Sequence, residues 1–185
     1  FLNLDGAKSG VYVYVNGKEV GYSEDAKNTV QFKLNKYLKE GKNSLVLKIF
    51  RWSTGAYLEC MDFWRISGIE RDVFLFSQPK NHIRDFQVVS TLDDTYQNGI
   101  FRLSVDVAEP QATTASYELV DAQGKVVAQG SKSVSGKNVH FDAEIPNVKT
   151  WTSEHPNLYQ LLITLKEGDK VTEVIPYKVG FRRFE

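Results

Sequence analysis

Apolar and polar residues alternate with a period of two along most of this chain, the spacing of half-buried strands. Val11-Tyr12-Val13-Tyr14-Val15 is β-branched and aromatic, and Asn16-Gly17 predicts a two-residue type I′ hairpin turn with residues 19–23 as the return strand. Over residues 29–34, Val30, Phe32 and Leu34 alternate with Gln31 and Lys33. Asn35 is placed to cap one short turn through Leu38, and Gly41 to end it. Residues 44–50 alternate again, with Leu45, Leu47 and Ile49 on one face, and residues 73–76 predict one more strand.

Ser77-Gln78-Pro79-Lys80-Asn81 is polar, contains a proline and interrupts the pattern, so a domain boundary is expected there, between 1–78 and 79–185. Beyond it, strands are expected near 83–91, 100–107, 115–120, 126–133, 138–145, 158–165 and 171–179. Turn signals such as Asp93-Asp94, Ala122-Gln123-Gly124 and Glu167-Gly168-Asp169 separate them. Short strands at this spacing, without a helical period, predict an immunoglobulin-like β-sandwich. The first part supplies about six strands, whereas a jelly roll needs eight in two sheets. The fold class is all-β.

Composition removes several classes of function. Lysine plus arginine equals aspartate plus glutamate at 23 each, which argues against a nucleic-acid partner reached by bulk electrostatics. No apolar run is long enough to span a bilayer, so no membrane partner is expected. Cys60 is the only cysteine, which excludes an internal disulfide, and Glu59 and Asp62 beside it would raise a thiol pKa. It reads as a small packed hydrophobe. His82, His140 and His155 stand apart, with no paired spacing for a metal.

Residues 51–72 read RWSTGAYLECMDFWRISGIERD and follow neither period. Aromatics mixed with charges in this way predict a buried irregular wall, in which rings pack and charges pair or line a site. Glu59 and Asp62 invite a two-carboxylate glycosidase reading. Arg51, Arg65 and Arg71 nearby favour a solvated or arginine-paired role for them instead.

This segment closely resembles the "RW-S-G-YLE--D-WR-SGI-RDV" signature of the large bacterial β-galactosidases of glycoside hydrolase family 2. Other blocks resemble the same family in order: Val15-Asn16-Gly17 with Val20-Gly21-Tyr22-Ser23-Glu24-Asp25, then Tyr37-Leu38-Lys39-Glu40-Gly41-Lys42-Asn43. Trp151-Thr152-Ser153-Glu154-His155-Pro156-Asn157-Leu158-Tyr159 and Val179-Gly180-Phe181-Arg182 follow. The "YSED" and "YLE--D-WR" wording favours the galactosidase branch over the glucuronidase and mannosidase branches.

The resemblance implies the later part of a galactose-binding-like, sugar-binding jelly roll, with its partner strands upstream of Phe1, followed by the first Ig-like domain. It implies a parent enzyme that hydrolyses terminal β-D-galactosides with retention. The two glutamates of that mechanism belong to a (β/α)8 barrel expected after Glu185, so no catalytic residue is expected in this chain. The partners implied are the β-galactoside and the barrel, and a homo-oligomer is compatible with the family. The compartment, bacterial cytoplasm or periplasm, is left open.

By its place in "YLE--D-WR", Asp62 matches the family aspartate that reaches into the barrel's pocket, contacts the galactosyl hydroxyls and helps hold a sodium ion. No cofactor is expected in this chain itself, with Na+ at Asp62 and Mg2+ elsewhere belonging to the full-length enzyme. Cys60 and Met61 stand where acidic and polar residues are usual, and the asparagine of earlier sugar-binding strands has no counterpart here. Read locally, Trp151 and Tyr159 bracket a Pro-Asn turn and are expected to anchor it in the Ig core, while Phe181 and Arg182 would leave the last strand for the next domain.

Two other readings compete. A free-standing carbohydrate-binding module would present Trp52, Tyr57 and Trp64 as a flat aromatic platform. An adhesin-like tandem sandwich would use both units structurally.

Overall fold

A computed structural model describes residues 1–25, 27–59, 62 and 64–184. The chain divides into two compact units, Phe1–Ser77 and Gln78–Glu185. Among the described residues the secondary structure is antiparallel β with two short helical turns, and no helix is long and apolar enough to cross a membrane.

The first unit centres on β3 (Gly10–Val15), which turns the Val11/Val13/Val15 side of its alternation into the core and leaves all three at most 1% exposed. Asn16 and Gly17 both take positive φ, 52° and 77°, as a type I′ turn requires, and return the chain as β4 (Lys18–Ser23). β6 (Leu45–Phe50) pairs along the other edge of β3. On the opposite face Tyr12 packs on its register partner Tyr22, ring centroids 4.3 Å apart, and meets the edge of Phe50 at 5.7 Å. A second small sheet has β1 (Leu2–Leu4) between β5 (Val30–Phe32) and β8 (Val73–Leu75), and β2 (Ala7–Lys8) pairs with β7 (Gly68–Ile69).

Strands β1, β2 and β7 go beyond the periodicity analysis. At three residues or two, they are too short to register as alternation. Leu2 and Leu4 are nevertheless fully buried in the core with Val13 and Phe32. The turn at Asn35–Tyr37 is a 3-10 helix whose cap position is held by Leu34, without a side-chain hydrogen bond, so Asn35 is not its cap. Leu34 is the buried last member of the Val30/Phe32/Leu34 alternation, and the turn begins directly from it.

The second unit is a seven-stranded sandwich among the described residues. One sheet orders β13 (Asn138–Ile145), β10 (Gly99–Ala108) and β9 (His82–Leu92). The other orders β12 (Val126–Ser133), β11 (Thr113–Val120), β14 (Tyr159–Glu167) and β15 (Lys170–Val179). Phe101, Leu103 and Val105 from β10 face Leu119 of β11 and Leu161 and Ile163 of β14 in one core, each 0% exposed. Pro176 lies on the edge strand β15, where its missing N–H costs no central ladder bond. Asp93 organises its turn by accepting hydrogen bonds from the Gln97 and Asn98 amides at 3.1 and 3.2 Å.

Two expectations for the far end change. Phe181 does not leave the unit: it is fully buried, meets Tyr159 edge to face at 5.3 Å and bridges to Thr150, so only Arg182 points outward. The strand ends at Val179, but the next apolar ring, two residues on, is still absorbed by the core. Tyr159 is a core anchor, its hydroxyl accepting from the Lys149 amide at 2.9 Å. Trp151 is half-buried at the surface instead, pressed on Gly180 with the Arg182 guanidinium 4.7 Å from its ring.

Leu161→Ala should lower the stability of the second unit by about 2–5 kcal/mol, the cost of a cavity in a close-packed core. Glu118→Ala on the exposed side of β11 should change it by less than about 0.5 kcal/mol. Denaturant unfolding of both variants measures the contrast.

Candidate functional site

The irregular segment 51–72 joins β6 to β8, and its ends are fastened to the first unit by different means. At its far end the Glu70 amide donates to the Gly6 carbonyl at 3.0 Å, and the Asp5 amide donates to the Asp72 carbonyl at 3.0 Å. At its near end the buried Ser9 hydroxyl lies 3.1 Å from the carbonyl oxygens of Phe50 and Arg51 and 2.8 Å from the Ser53 hydroxyl.

Between them the chain forms one short helix, α1 (Thr54–Leu58), that the sequence did not announce. Its N-cap residue Ser53 makes no capping side-chain bond. A residue from β4's end does so instead: the Glu24 carboxylate accepts the Gly55 N–H at 2.7 Å, and its other oxygen accepts the Tyr22 hydroxyl at 2.5 Å. Gly55 has to be glycine for this, because a Cβ there would stand 2.8 Å from the Glu24 carbonyl oxygen. Gly10 similarly leaves room for the Tyr22 hydroxyl, which would lie 2.9 Å from an added Cβ. The "YSED" wording therefore has a physical content that was not legible from sequence, since no local pattern links residue 24 to residue 55.

Electrostatics follow the same contacts. The Tyr22 hydrogen bond, then the Gly55 amide, hold the Glu24 carboxyl below the usual carboxylate range, with Ser53 adding to the effect. Partial burial, then the hydrogen bond to and charge of Glu24, push the Tyr22 hydroxyl up to about 12.

The described residues of 51–72 do not form the buried wall expected of them within this unit. Trp52, Tyr57 and Trp64 are 52%, 67% and 82% exposed. Instead of packing under a sheet, Trp52 and Tyr57 pack on each other at 6.3 Å, with the Arg65 guanidinium 5.9 and 5.7 Å from their rings and Arg51 5.3 Å from Trp52. Arg51 and Arg65 thus stack on aromatics, and among the described residues neither forms an ion pair with an acid. Asp62 is exposed, and among the described residues no hydrogen bond or ion pair engages it, so the arginine-paired role is not what the structure shows. Cys60 and Met61, including the packed-thiol reading, lie outside the described residues. Among the described residues no group of three or more His, Cys, Asp or Glu side chains comes together to hold a metal ion. A cavity of about 420 Å³ lined by Val20, Phe32 and Tyr37 does not include the segment.

The Tyr22–Glu24 contact has a definite pH signature. The raised tyrosine contributes stability that is complete below its unfolded value of 10.0 and lost as pH rises through about 12. The lowered carboxylate contributes stability that is present above its unfolded value and lost as pH falls through its depressed folded one. An ultraviolet titration should show one phenol ionising near pH 12, absent in Tyr22→Phe and moved back toward 10.0 in Glu24→Ala.

Residues 1–79 match the family description "Glycosyl hydrolases family 2, sugar binding domain", and residues 81–182 match "Glycosyl hydrolases family 2". A β-galactosidase of Priestia megaterium is 39% identical over all of this chain and 19% of its own length, and one of Streptococcus thermophilus is 40% identical over all of this chain and 18% of its own. The chain thus spans about a fifth of the curated relatives it matches. The crystal structure of Ruminococcus gnavus β-glucuronidase superposes with a TM-score of 0.80 at 23% identity, covering 97% of this chain and 32% of that one, which speaks for the fold. A sandwich with a fastened, aromatic-rich loop, an Ig-like unit behind it in sequence and family matches along both lead to one conclusion: the chain belongs to glycosyl hydrolases family 2.

Proposed function

We propose that this chain is the sugar-binding and Ig-like portion of a β-galactosidase that hydrolyses terminal β-galactosides with retention, and that its segment 51–72 presents Asp62 to the non-reducing sugar. The observation that carries the reading is the geometry of the segment: both ends are hydrogen-bonded to the unit while Asp62 stands exposed and, among the described residues, unengaged. A site carboxylate held for an incoming ligand needs free acceptor oxygens, whereas a structural one would be spent on an arginine. Identity of 39–40% to β-galactosidases across the whole chain supports the galactoside as substrate class. In this reading bond cleavage belongs to the paired glutamates of a following barrel, and residues 1–185 bind and buttress.

A sodium ion fits less well with these residues alone. Asp62 supplies one carboxylate, and a hard cation needs several oxygens. Asp62 could be one ligand among others from elsewhere in the enzyme, and no step is routed through the ion.

The exposed Trp52–Tyr57 pair favours a second reading, a glycan-stacking platform on a binding module. Arg51 and Arg65 lie over those rings, which leaves less aromatic face for a sugar.

In the full-length enzyme Asp62→Ala should lower kcat/KM roughly ten- to a hundredfold, the worth of hydrogen bonds to a charged acceptor at about 1.5–3 kcal/mol. Its melting temperature should hardly move, because Asp62 is exposed and, among the described residues, makes no hydrogen bond or ion pair. A lowered melting temperature with unaltered kcat/KM per folded molecule would refute the assignment. Weakened glycan retention in Trp52→Ala, with kinetics intact, would favour the platform.

A further inference from the structure

Capping of α1 is delegated in an unusual way. Serine is among the best N-cap residues, and Ser53 occupies that position, yet its hydroxyl faces Ser9 and the cap comes from a residue 31 positions upstream. A local cap would let α1 form wherever the segment happened to lie. A cap supplied from the end of β4 ties the helix to one place on the sheet.

We propose that Glu24 is a positioning residue for the signature segment: its two carboxylate oxygens, one on the Gly55 amide and one on the Tyr22 hydroxyl, lock α1 to the end of β4 and thereby set where Asp62 stands. The inference rests on the reading that Asp62 meets the sugar. Three observations carry the fastening itself. The bond to Gly55 is charge-assisted and short, 2.7 Å. Gly55 packs so near the Glu24 backbone that an added Cβ would stand 2.8 Å from its carbonyl oxygen, so the close approach needs a glycine there. Tyr22 is itself fixed, by β3–β4 register and by the Tyr12 ring at 4.3 Å, so it holds the carboxylate in one orientation. Asp62 follows the last residue of α1, Leu58, by only four positions in sequence, and the other root of the segment is held at Gly6 and Asp5. In this proposal a shift of α1 would be felt at Asp62, four positions on in sequence.

The full-length enzyme tests this with two measurements on Glu24→Ala and Glu24→Gln. Hydrogen exchange in peptides covering residues 53–59 should quicken about tenfold in Glu24→Ala, with β3 and β10 unchanged, and return most of the way in Glu24→Gln, which still offers an oxygen to Gly55. kcat/KM should fall about five- to tenfold through KM, and the Glu24→Ala/Asp62→Ala double variant should fall no further than Asp62→Ala alone. Exchange at the wild-type rate would overturn the fastening. A loss that adds fully to that of Asp62→Ala would overturn the positioning role. Should Asp62→Ala alone leave kcat/KM unaltered, it is the sugar-contact reading that fails, and the exchange result still decides the fastening.

Discussion

Backbone amides that leave a sheet must find new partners, and this requirement governs the first unit. Among the described residues from 51 to 72 the chain has little ladder to belong to, only the two-residue pairing of β7 with β2. The remaining polar groups at its roots are met by the Gly6 carbonyl, the Asp5 amide, the Ser9 hydroxyl and the Glu24 carboxylate. Each of these stands at the end of a short strand or in the turn after one, so the short strands matter less for the area they bury than for the groups they place. An irregular segment held in this way can expose its middle without coming loose at its roots.

The two units solve burial differently. The Ig-like unit encloses its aromatics: the Tyr117 ring lies 5.2 Å from that of Phe101 and 5.1 Å from that of Phe141, between two sheets. The first unit leaves Phe74, Leu75, Leu58 and Trp64 between 46% and 82% exposed. Apolar area on that scale is more than scattered surface residues account for, and it concentrates on β8 and the signature segment. It belongs with the proposal that this unit works against other parts of a larger enzyme, and with the fact that the curated relatives are about five times as long.

Legibility in the sequence followed the physics of period. Where a strand was long and faced a core on one side, as in residues 100–107, alternation located it within a residue or two. Where a strand was two or three residues long, as at Ala7–Lys8, no window could contain its period, although Leu2 and Leu4 around a buried Asn3 form part of the first core. Residues 51–72 were recognisable by wording, and their composition suggested burial; arginine stacking on Trp52 and Tyr57 explains how they stay exposed. Phe181 was misread because its burial rests on a bridge to Thr150 and an edge-to-face contact with Tyr159, neither of which a one-dimensional pattern contains.

The same distinction applies to the candidate site. Asp62 was singled out from sequence because family wording surrounds it, yet wording says nothing of what would fix its place. Glu24 carries that information, 31 residues before the amide it binds, in a stretch whose obvious role is to end a hairpin. A carboxylate there rather than an amide gives the stronger bond to a backbone N–H, and Tyr22 rather than phenylalanine keeps that carboxylate aimed. Gly55 rather than alanine admits the contact at all. Three residue types in two separate motifs are thus explained by one junction, which ties the hairpin's wording to the signature's through a single physical need: to hold one exposed loop in one place.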